Sequence, residues 1–313
     1  MKVVKGVDNF TIGSNTIVTI GTFDGVHKGH QKILKKLANE AKKFNLKSVV
    51  LTFSPHPRTV LNPNTPLELI NTIEERIKLI SNCGIDYLIV HPFDKTFSDL
   101  SPERFVHSVL VKKLNTKKIL IGYDHRFGKD RKAGIIDLQI FGSKYNFEVI
   151  EIGVKEVNNI SVSSTKIRKS ISKGNIKRVH SYLGYNLALS GEVVKGNAIG
   201  RTIGFPTANI KIFDNNKLIP KNGVYLISSI LDKIPYHGMM NIGVKPTLNI
   251  KKQSIEVNFF KLQKDLYGKI IEVSILQFIR NEVKFNSLDD LKNQIKIDKE
   301  TCTTLINDIN KLT

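Results

Sequence analysis

The sequence has no tryptophan and only two cysteines, Cys83 and Cys302. Two cysteines so far apart give neither a disulfide framework nor a zinc-binding spacing. Cys83 falls in an apolar helical stretch, where a buried, unreactive thiol is expected. No apolar run reaches the length of a membrane span, and the start, Met1-Lys-Val-Val-Lys-Gly6, lacks the apolar region of a secretory signal. A soluble, cytoplasmic protein is expected, with no membrane partner. Acidic residues are scarce: 28 Asp and Glu stand against 48 Lys and Arg, a formal net charge of +20. That charge alone points to a polyanion. The lysines are dispersed, however, in a chain also rich in Ile and Asn, which marks a bias of the whole sequence rather than a patch. No specific nucleic-acid partner is expected, although a basic surface favours nucleotide substrates. Also missing are a P-loop and a Gly-x-Gly-x-x-Gly after a strand, so any ATP would be bound without a Walker lysine.

What is present organises around residues 17–34. Ile17 to Ile20 reads as a buried strand, Gly21 and Gly25 punctuate a turn, and His27-Lys28-Gly29-His30 opens a helix. Ile33, Leu34, Leu37, Ala38, Ala41 and Phe44 share one helical face. Two histidines at a helix N-terminus, with Gly29 allowing close backbone approach, suit an anion such as phosphate. The alternative is that they merely cap the turn. Strands and helices keep alternating: strands at 48–53, 87–90, 119–123 and 147–152, helices at 73–83, 101–114 (Ser101 capping, Pro102 first) and from about 134. Alternation implies a parallel sheet whose ligands lie beyond the strand carboxyl ends. His27, His30, His56, Asp124 and Arg126 all fall at such ends. Ser163-Ser164-Thr165 with Arg168 opens a further helix and offers a second anion site, or a plain N-cap.

These residues resemble a known family. Gly21-Thr22-Phe23-Asp24-Gly-Val-His27-Lys-Gly29-His30, Ser54-Pro55-His56-Pro57, Gly122-x-Asp124-x-Arg126-Phe127-Gly128 and Ser163-Ser-Thr-x-Ile-Arg168 are similar to the adenylyltransferase module of prokaryotic bifunctional riboflavin kinase/FAD synthetases. The resemblance implies transfer of an adenylyl group from ATP to FMN, with pyrophosphate released. It implies ATP contacts from Gly21, Thr22, Phe23, His27, Gly29, His30, Ser163, Ser164, Thr165 and Arg168, with His27 and His30 acting in catalysis. Pro55, His56, Asp124 and Phe127 would meet the flavin. His125 stands where the family commonly has Phe.

A helical stretch from Arg168 to Leu183, with a possible break at Gly174-Asn175, leads to a boundary at Gly184-Tyr185-Asn186. Residues 1–185 and 186–313 are the expected domains. Beyond the boundary the pattern becomes strands at 187–194, 223–230, 236–242, 254–260 and 269–279, then two helices with faces Leu288, Leu291, Ile295 and Leu305, Ile306, Ile309. Strands without intervening helices suggest an antiparallel barrel. Gly196, Gly200 and Gly204 recur every fourth residue and fit a loop that wraps phosphates. Thr207 and Asn209 offer neutral oxygens for a Mg²⁺ shared with those phosphates; a glycine-rich surface loop is the alternative.

This half resembles the riboflavin kinase of the same family: Gly196 to Asn209, Pro220-x-x-Gly223-Val-Tyr225, Asn241-Ile-Gly-Val-x-Pro246-Thr247, Ile255-Glu256-Val257, Asp265-Leu-Tyr-Gly268 and Phe278-Ile-Arg280. The resemblance implies a six-stranded barrel that phosphorylates riboflavin. Gly196, Gly200, Arg201, Gly204, Pro206, Thr207 and Asn209 would hold ATP, with Thr207 and Asn209 on Mg²⁺. Glu256 would be the general base, and Glu256 and Arg280 would meet the flavin. Arg280 has a second reading as an ordinary ion pair. Asn258 replaces the His that often follows Glu-Val, and Lys245 replaces an Arg; neither removes a base or metal ligand. Two other readings compete: a nucleotidylyltransferase for another substrate fused to a binding barrel, and a basic nucleic-acid binder. The first leaves Glu256 and the Gly-Phe-Pro-Thr-Ala-Asn run unexplained, and the second leaves every motif unexplained. ATP, riboflavin and FMN are the expected small-molecule partners. A homo-oligomer is left open.

Overall fold

The computed structural model describes residues 1–65, 67–122, 125–153, 162–196, 199–247 and 250–312. The chain divides into two units, residues 1–164 and 165–313. The first is built on six strands: β1 (Lys2–Lys5), β2 (Thr16–Ile20), β3 (Lys47–Phe53), β4 (Tyr87–His91), β5 (Thr116–Gly122) and β6 (Glu148–Ile152). They lie in the order β1-β4-β3-β2-β5-β6, and every pairing is parallel. The chain builds from β2 through β3 to β4, then crosses back to β5 on the other side of β2. That reversal opens a crevice at the carboxyl ends of β2 and β5, where ligands of open α/β sheets bind.

A parallel sheet needs cover on both faces, and two separate apolar layers provide it. Helix α1 (Lys28–Lys43) contributes Leu34, Leu37, Ala38 and Ala41 to one layer. Phe44, placed on that face by the sequence, instead ends the helix and is exposed, with the Lys118 ammonium 3.7 Å above its ring. Helices α2 (Pro57–Leu61), α3 (Ile73–Ser81), α4 (Lys95–Ser98) and α5 (Pro102–Phe105) follow. Ser101 caps α5 as expected, accepting the Arg104 N–H at 3.3 Å. The helix then widens into π-turns over Val106–Lys113. Threonine hydroxyls take up carbonyls of this widened end: Thr116 Oγ1 donates to Leu110 and Thr16 Oγ1 to Leu114. Helix α6 (Ile135–Tyr145) completes this part. Strand β1 was not expected; four residues, two of them lysines, carry too little pattern to be read alone.

Helices α7 (Ser164–Ser172) and α8 (Ile176–Leu183) break at Gly174, whose φ of 71° is left-handed, as its sequence position suggested. The second unit is a closed antiparallel barrel, β10-β11-β8-β7-β12-β9, made from β7 (Ala188–Val194), β8 (Ala208–Ile212), β9 (Gly223–Leu231), β10 (Ile234–Thr247), β11 (Ile250–Phe259) and β12 (Ile270–Arg280). The one-turn helix α9 (Ile199–Thr202) lies between β7 and β8.

The chain ends in one helix, α10 (Leu288–Leu312), not two. The two apolar faces expected from the sequence are one stripe, Leu291, Ile295, Asp298, Cys302, Leu305, spaced four, three, four and three. Asp298 made the stripe look interrupted. It is nevertheless 2% exposed, because Arg280 neutralises it within the packed face.

Candidate active sites

The first site grows from the end of β2. Residues 21–26 turn sharply, with Phe23 and Val26 at positive φ, and His27 caps α1. His27 Nδ1 accepts the backbone N–H of His30 at 3.3 Å, which leaves Nε2 to carry the proton in the neutral ring. The two imidazoles stack at 3.6 Å and 15°, with Phe23 edge-on to His30 at 5.3 Å. Gly29 is what permits the stack, since a Cβ there would press on the His27 ring at 3.3 Å. Burial lowers the His27 pKa to about 4, although the Asp24 carboxylate pulls it up. His30 is held well below its ordinary value by burial first, then by His27 and the Arg76 charge. Both rings are therefore neutral at pH 7. The Nδ1 of His30 is buried with no hydrogen-bond partner among the described residues.

Two charged residues not singled out from the sequence frame this shelf. The buried Asp24 carboxylate accepts the N–H groups of Ile70 (3.0 Å) and Asn71 (3.2 Å), and its carbonyl accepts the Ser164 hydroxyl at 2.9 Å. That last bond joins the start of α7 to the histidine loop across 140 residues of sequence. Arg76, 1% exposed, donates through Nη1 to the carbonyls of Thr22 (2.7 Å) and Phe53 (3.3 Å), tying together the ends of β2 and β3. Its signal was available: Arg76 interrupts the stripe Ile73, Ile77, Ile80 on α3.

Gly21, Thr22, Phe23, His27, Gly29 and His30 are thus gathered on one turn, with Ser164 bonded to it and Ser163 preceding it. Thr165 and Arg168 follow on α7, in the second unit. Pro55 and His56 stand at the carboxyl end of β3, where His56 Nδ1 accepts the Arg58 N–H at 3.1 Å and caps α2. Phe127 is buried against Phe105, with the His125 ring stacked at 6.2 Å and 21°. Phe53, Phe93 and Phe97 extend the aromatic cluster past the ends of β3 and β4. Asp124 lies outside the described residues.

The second site is assembled by strand register. Glu256 on β11 sits opposite Asn209 of β8 on one side and Asn241 of β10 on the other. The Thr207 hydroxyl donates to Glu256 Oε2 at 3.4 Å. Gly200 lies so close to the Phe205 carbonyl that a Cβ would approach it to 2.3 Å, and Gly204 turns with φ 82°. Asn258 donates to the Pro206 carbonyl at 2.7 Å and so anchors the run that carries Thr207. Among the described residues no group of three or more His, Cys, Asp or Glu is arranged to hold a metal. Oxygen donors from Thr207, Asn209 and Glu256 are hard ligands of the kind Mg²⁺ takes together with substrate phosphates.

Two cavities open here. One, of about 300 Å³, lies between the barrel and α10, with Phe205, Met239 and Phe285 as apolar walls and Glu256, Asn241 and Arg280 as polar ones. The other, of about 410 Å³, is lined by Arg201, Pro206, Val257, Lys264, Asp265 and Tyr267. Thr207 borders both. From the motif Asp265-Leu-Tyr-Gly268, the residues Asp265, Leu266 and Tyr267 line this cavity. Arg280 is an ion pair rather than a free cation: Nε and Nη2 fork onto Asp298 at 2.8 and 2.7 Å. A further concavity, of about 550 Å³ along α6 and β6, contains none of these residues.

The FAD synthetase family matches residues 10–166, and the riboflavin kinase family matches residues 183–306. A bifunctional riboflavin kinase/FMN adenylyltransferase of Buchnera aphidicola subsp. Acyrthosiphon pisum is 41% identical over 302 residues, covering 95% of this chain and 96% of that one. The protein of that name from Escherichia coli K12 is 36% identical over 304 residues, covering 96% of each. A solved structure described as a macrolide-efflux protein from Streptococcus pneumoniae is 34% identical, with a TM-score of 0.86 over 96% of this chain and 98% of that one. Among the described residues no helix is long and apolar enough to cross a membrane. With both halves matched in order and nearly the whole length shared, this chain belongs to the family of bifunctional riboflavin kinase/FMN adenylyltransferases, with its FAD synthetase half first and its riboflavin kinase half second.

Proposed function

We propose that the two sites described above carry the two successive steps, riboflavin to FMN in the barrel and FMN to FAD on the histidine shelf. The functional division falls at residues 185/186, just after Gly184 ends α8 in a left-handed turn. In the kinase step riboflavin occupies the cavity beside Glu256, and ATP occupies the cavity beside Arg201 and Pro206. The ribityl 5′-hydroxyl attacks the γ-phosphorus. Its proton passes to the Glu256 carboxylate, and the bond from the γ-phosphorus to the departing ADP oxygen breaks. The backbone amides of the segment that carries Gly196, Gly200 and Gly204 hold the phosphates. Thr207 and Asn209 would hold Mg²⁺, which supplies neutralisation of the phosphate charge. The observation that carries this reading furthest is Thr207, bonded to Glu256 and bordering both cavities.

In the second step an oxygen of the FMN phosphate attacks the α-phosphorus of ATP, and pyrophosphate leaves. A phosphate nucleophile is already ionised, so this step needs donors and positioning rather than a base. His27 and His30, neutral and at a helix N-terminus, donate to the triphosphate as charge moves to pyrophosphate. Ser163, Ser164, Thr165 and Arg168 hold the same phosphates. Pro55, His56, Asp124 and Phe127 meet the flavin. The two buried cysteines, both free thiols, accord with work in the cytoplasm.

Purified protein given riboflavin, ATP and Mg²⁺ yields FMN and then FAD by chromatography, and chelation of Mg²⁺ stops FMN formation. Absence of FMN would remove the kinase assignment, and FMN without FAD would remove the adenylyltransferase assignment.

A further inference from the structure

Asp298 stands at the centre of the apolar stripe of α10, yet it is 2% exposed and borders the 300 Å³ cavity. Its Oδ1 accepts from Arg280 Nε (2.8 Å) and Gln294 Nε2 (3.0 Å), and its Oδ2 accepts from Arg280 Nη2 (2.7 Å). Arg280 also donates through Nη1 to the Asn281 carbonyl at 2.9 Å, and its guanidinium lies 6.0 Å from the Phe285 ring. One guanidinium thus grips three things at once: the end of β12, the middle of α10 and the connection between them. That connection supplies Glu282, Val283 and Phe285 to the cavity wall.

We propose that Asp298 is a positioning residue for riboflavin phosphorylation: through Arg280 it sets the wall formed by residues 281–287 and α10, and so determines how tightly the flavin ring is held. This rests on the kinase reading of the barrel. A planar, bidentate fork fixes orientation as well as distance, which a single contact would not. An acid kept in a packed face is otherwise hard to explain. Apolar side chains of similar volume in both places are often neutral or better for stability, so the pair is poor value as a mere staple. With its N–H groups committed to Asp298 and Asn281, Arg280 shapes the riboflavin pocket indirectly.

The test compares D298N with the apolar double variant R280M/D298L, measuring FMN formation, FAD formation from supplied FMN, and thermal melting. In D298N the KM for riboflavin rises about tenfold, with the KM for ATP and the FAD step within about twofold of the parent. The double variant melts no lower than the parent, since apolar packing replaces the pair, yet keeps the raised riboflavin KM. A double variant that folds and binds riboflavin like the parent would overturn the proposal. So would loss of barrel folding in both variants, which would assign the pair to stability alone. E256Q, assayed alongside, separates the two claims. If it phosphorylates riboflavin at the parent's rate, the kinase reading fails whatever Asp298 does.

Discussion

On the proposed reading, the two sites of this chain handle the same cosubstrate with opposite equipment. The first presents two neutral imidazoles, a helix N-terminus and hydroxyls, with the Asp24 carboxylate committed to the backbone of Ile70 and Asn71. The second places a carboxylate, Glu256, in the wall of one cavity, bonded to Thr207, which borders both. The nucleophiles explain the difference. A phosphate monoester arrives ionised and needs only charge dispersal at the leaving side, whereas an alcohol must lose a proton as it attacks. On the proposed assignment, the nucleophile, more than the nucleotide, decides which side chains a site needs.

The sharpest way to break this comparison is to remove the base. E256A should lower FMN formation by about 10² to 10⁴-fold, the usual worth of a general base, and leave conversion of supplied FMN to FAD intact. A drop of only a few-fold would mean that the barrel, like the shelf, works without a base. H30A should do the reverse, costing FAD formation about 10² to 10³-fold, the cost of losing one preorganised donor.

The pH behaviour separates the sites further. His27 has a pKa of about 4 in the folded protein against 6.5 for an ordinary histidine, and His30 is lowered as well. Neither ring titrates in the free protein between pH 6 and 8, so kcat/KM for ATP in the FAD step should show no histidine inflection there. Because the unfolded chain binds these protons first, the stabilisation is full above pH 6.5 and is lost as pH falls toward 4. His27 alone accounts for about 3 kcal/mol of that loss by pH 4. Urea unfolding at pH 7 and pH 4.5 checks the sign, and H27Q should flatten the dependence.

Smaller effects test the framing residues. N258A removes the bond to the Pro206 carbonyl and should raise the KM for ATP a few-fold, as expected for about 1 kcal/mol of lost hydrogen bonding. The FAD step should not change. An equal effect on both steps would show that Asn258 acts through global stability.

How legible each site was follows from how it is built. The shelf is local: strand, turn and helix start lie within some fifteen residues, and Gly29 and the two histidines announce it. Its support is not local. Arg76 and Asp24 act through carbonyls and N–H groups distant in the chain; Arg76 stands out by interrupting an apolar stripe, but no local pattern names the partners of either. The barrel site depends on register, which aligns Asn209 with Glu256 across two strands. Family resemblance named both residues, but strand β8 itself was missed, since Ala208–Ile212 is short and pairs with β11 through only two residues. The terminal helix reads as two in the sequence because a charged residue inside an apolar stripe looks like a break unless its partner on β12 is known.

The most direct measurement of the central claim is a crossed assay. E256A, H30A and an equimolar mixture of the two are each given riboflavin, ATP and Mg²⁺, and the flavins are separated by chromatography. The two-site account predicts unchanged riboflavin with E256A, accumulation of FMN with H30A, and FAD only from the mixture. Loss of both reactions in each folded variant, or FAD from either variant alone, would contradict it.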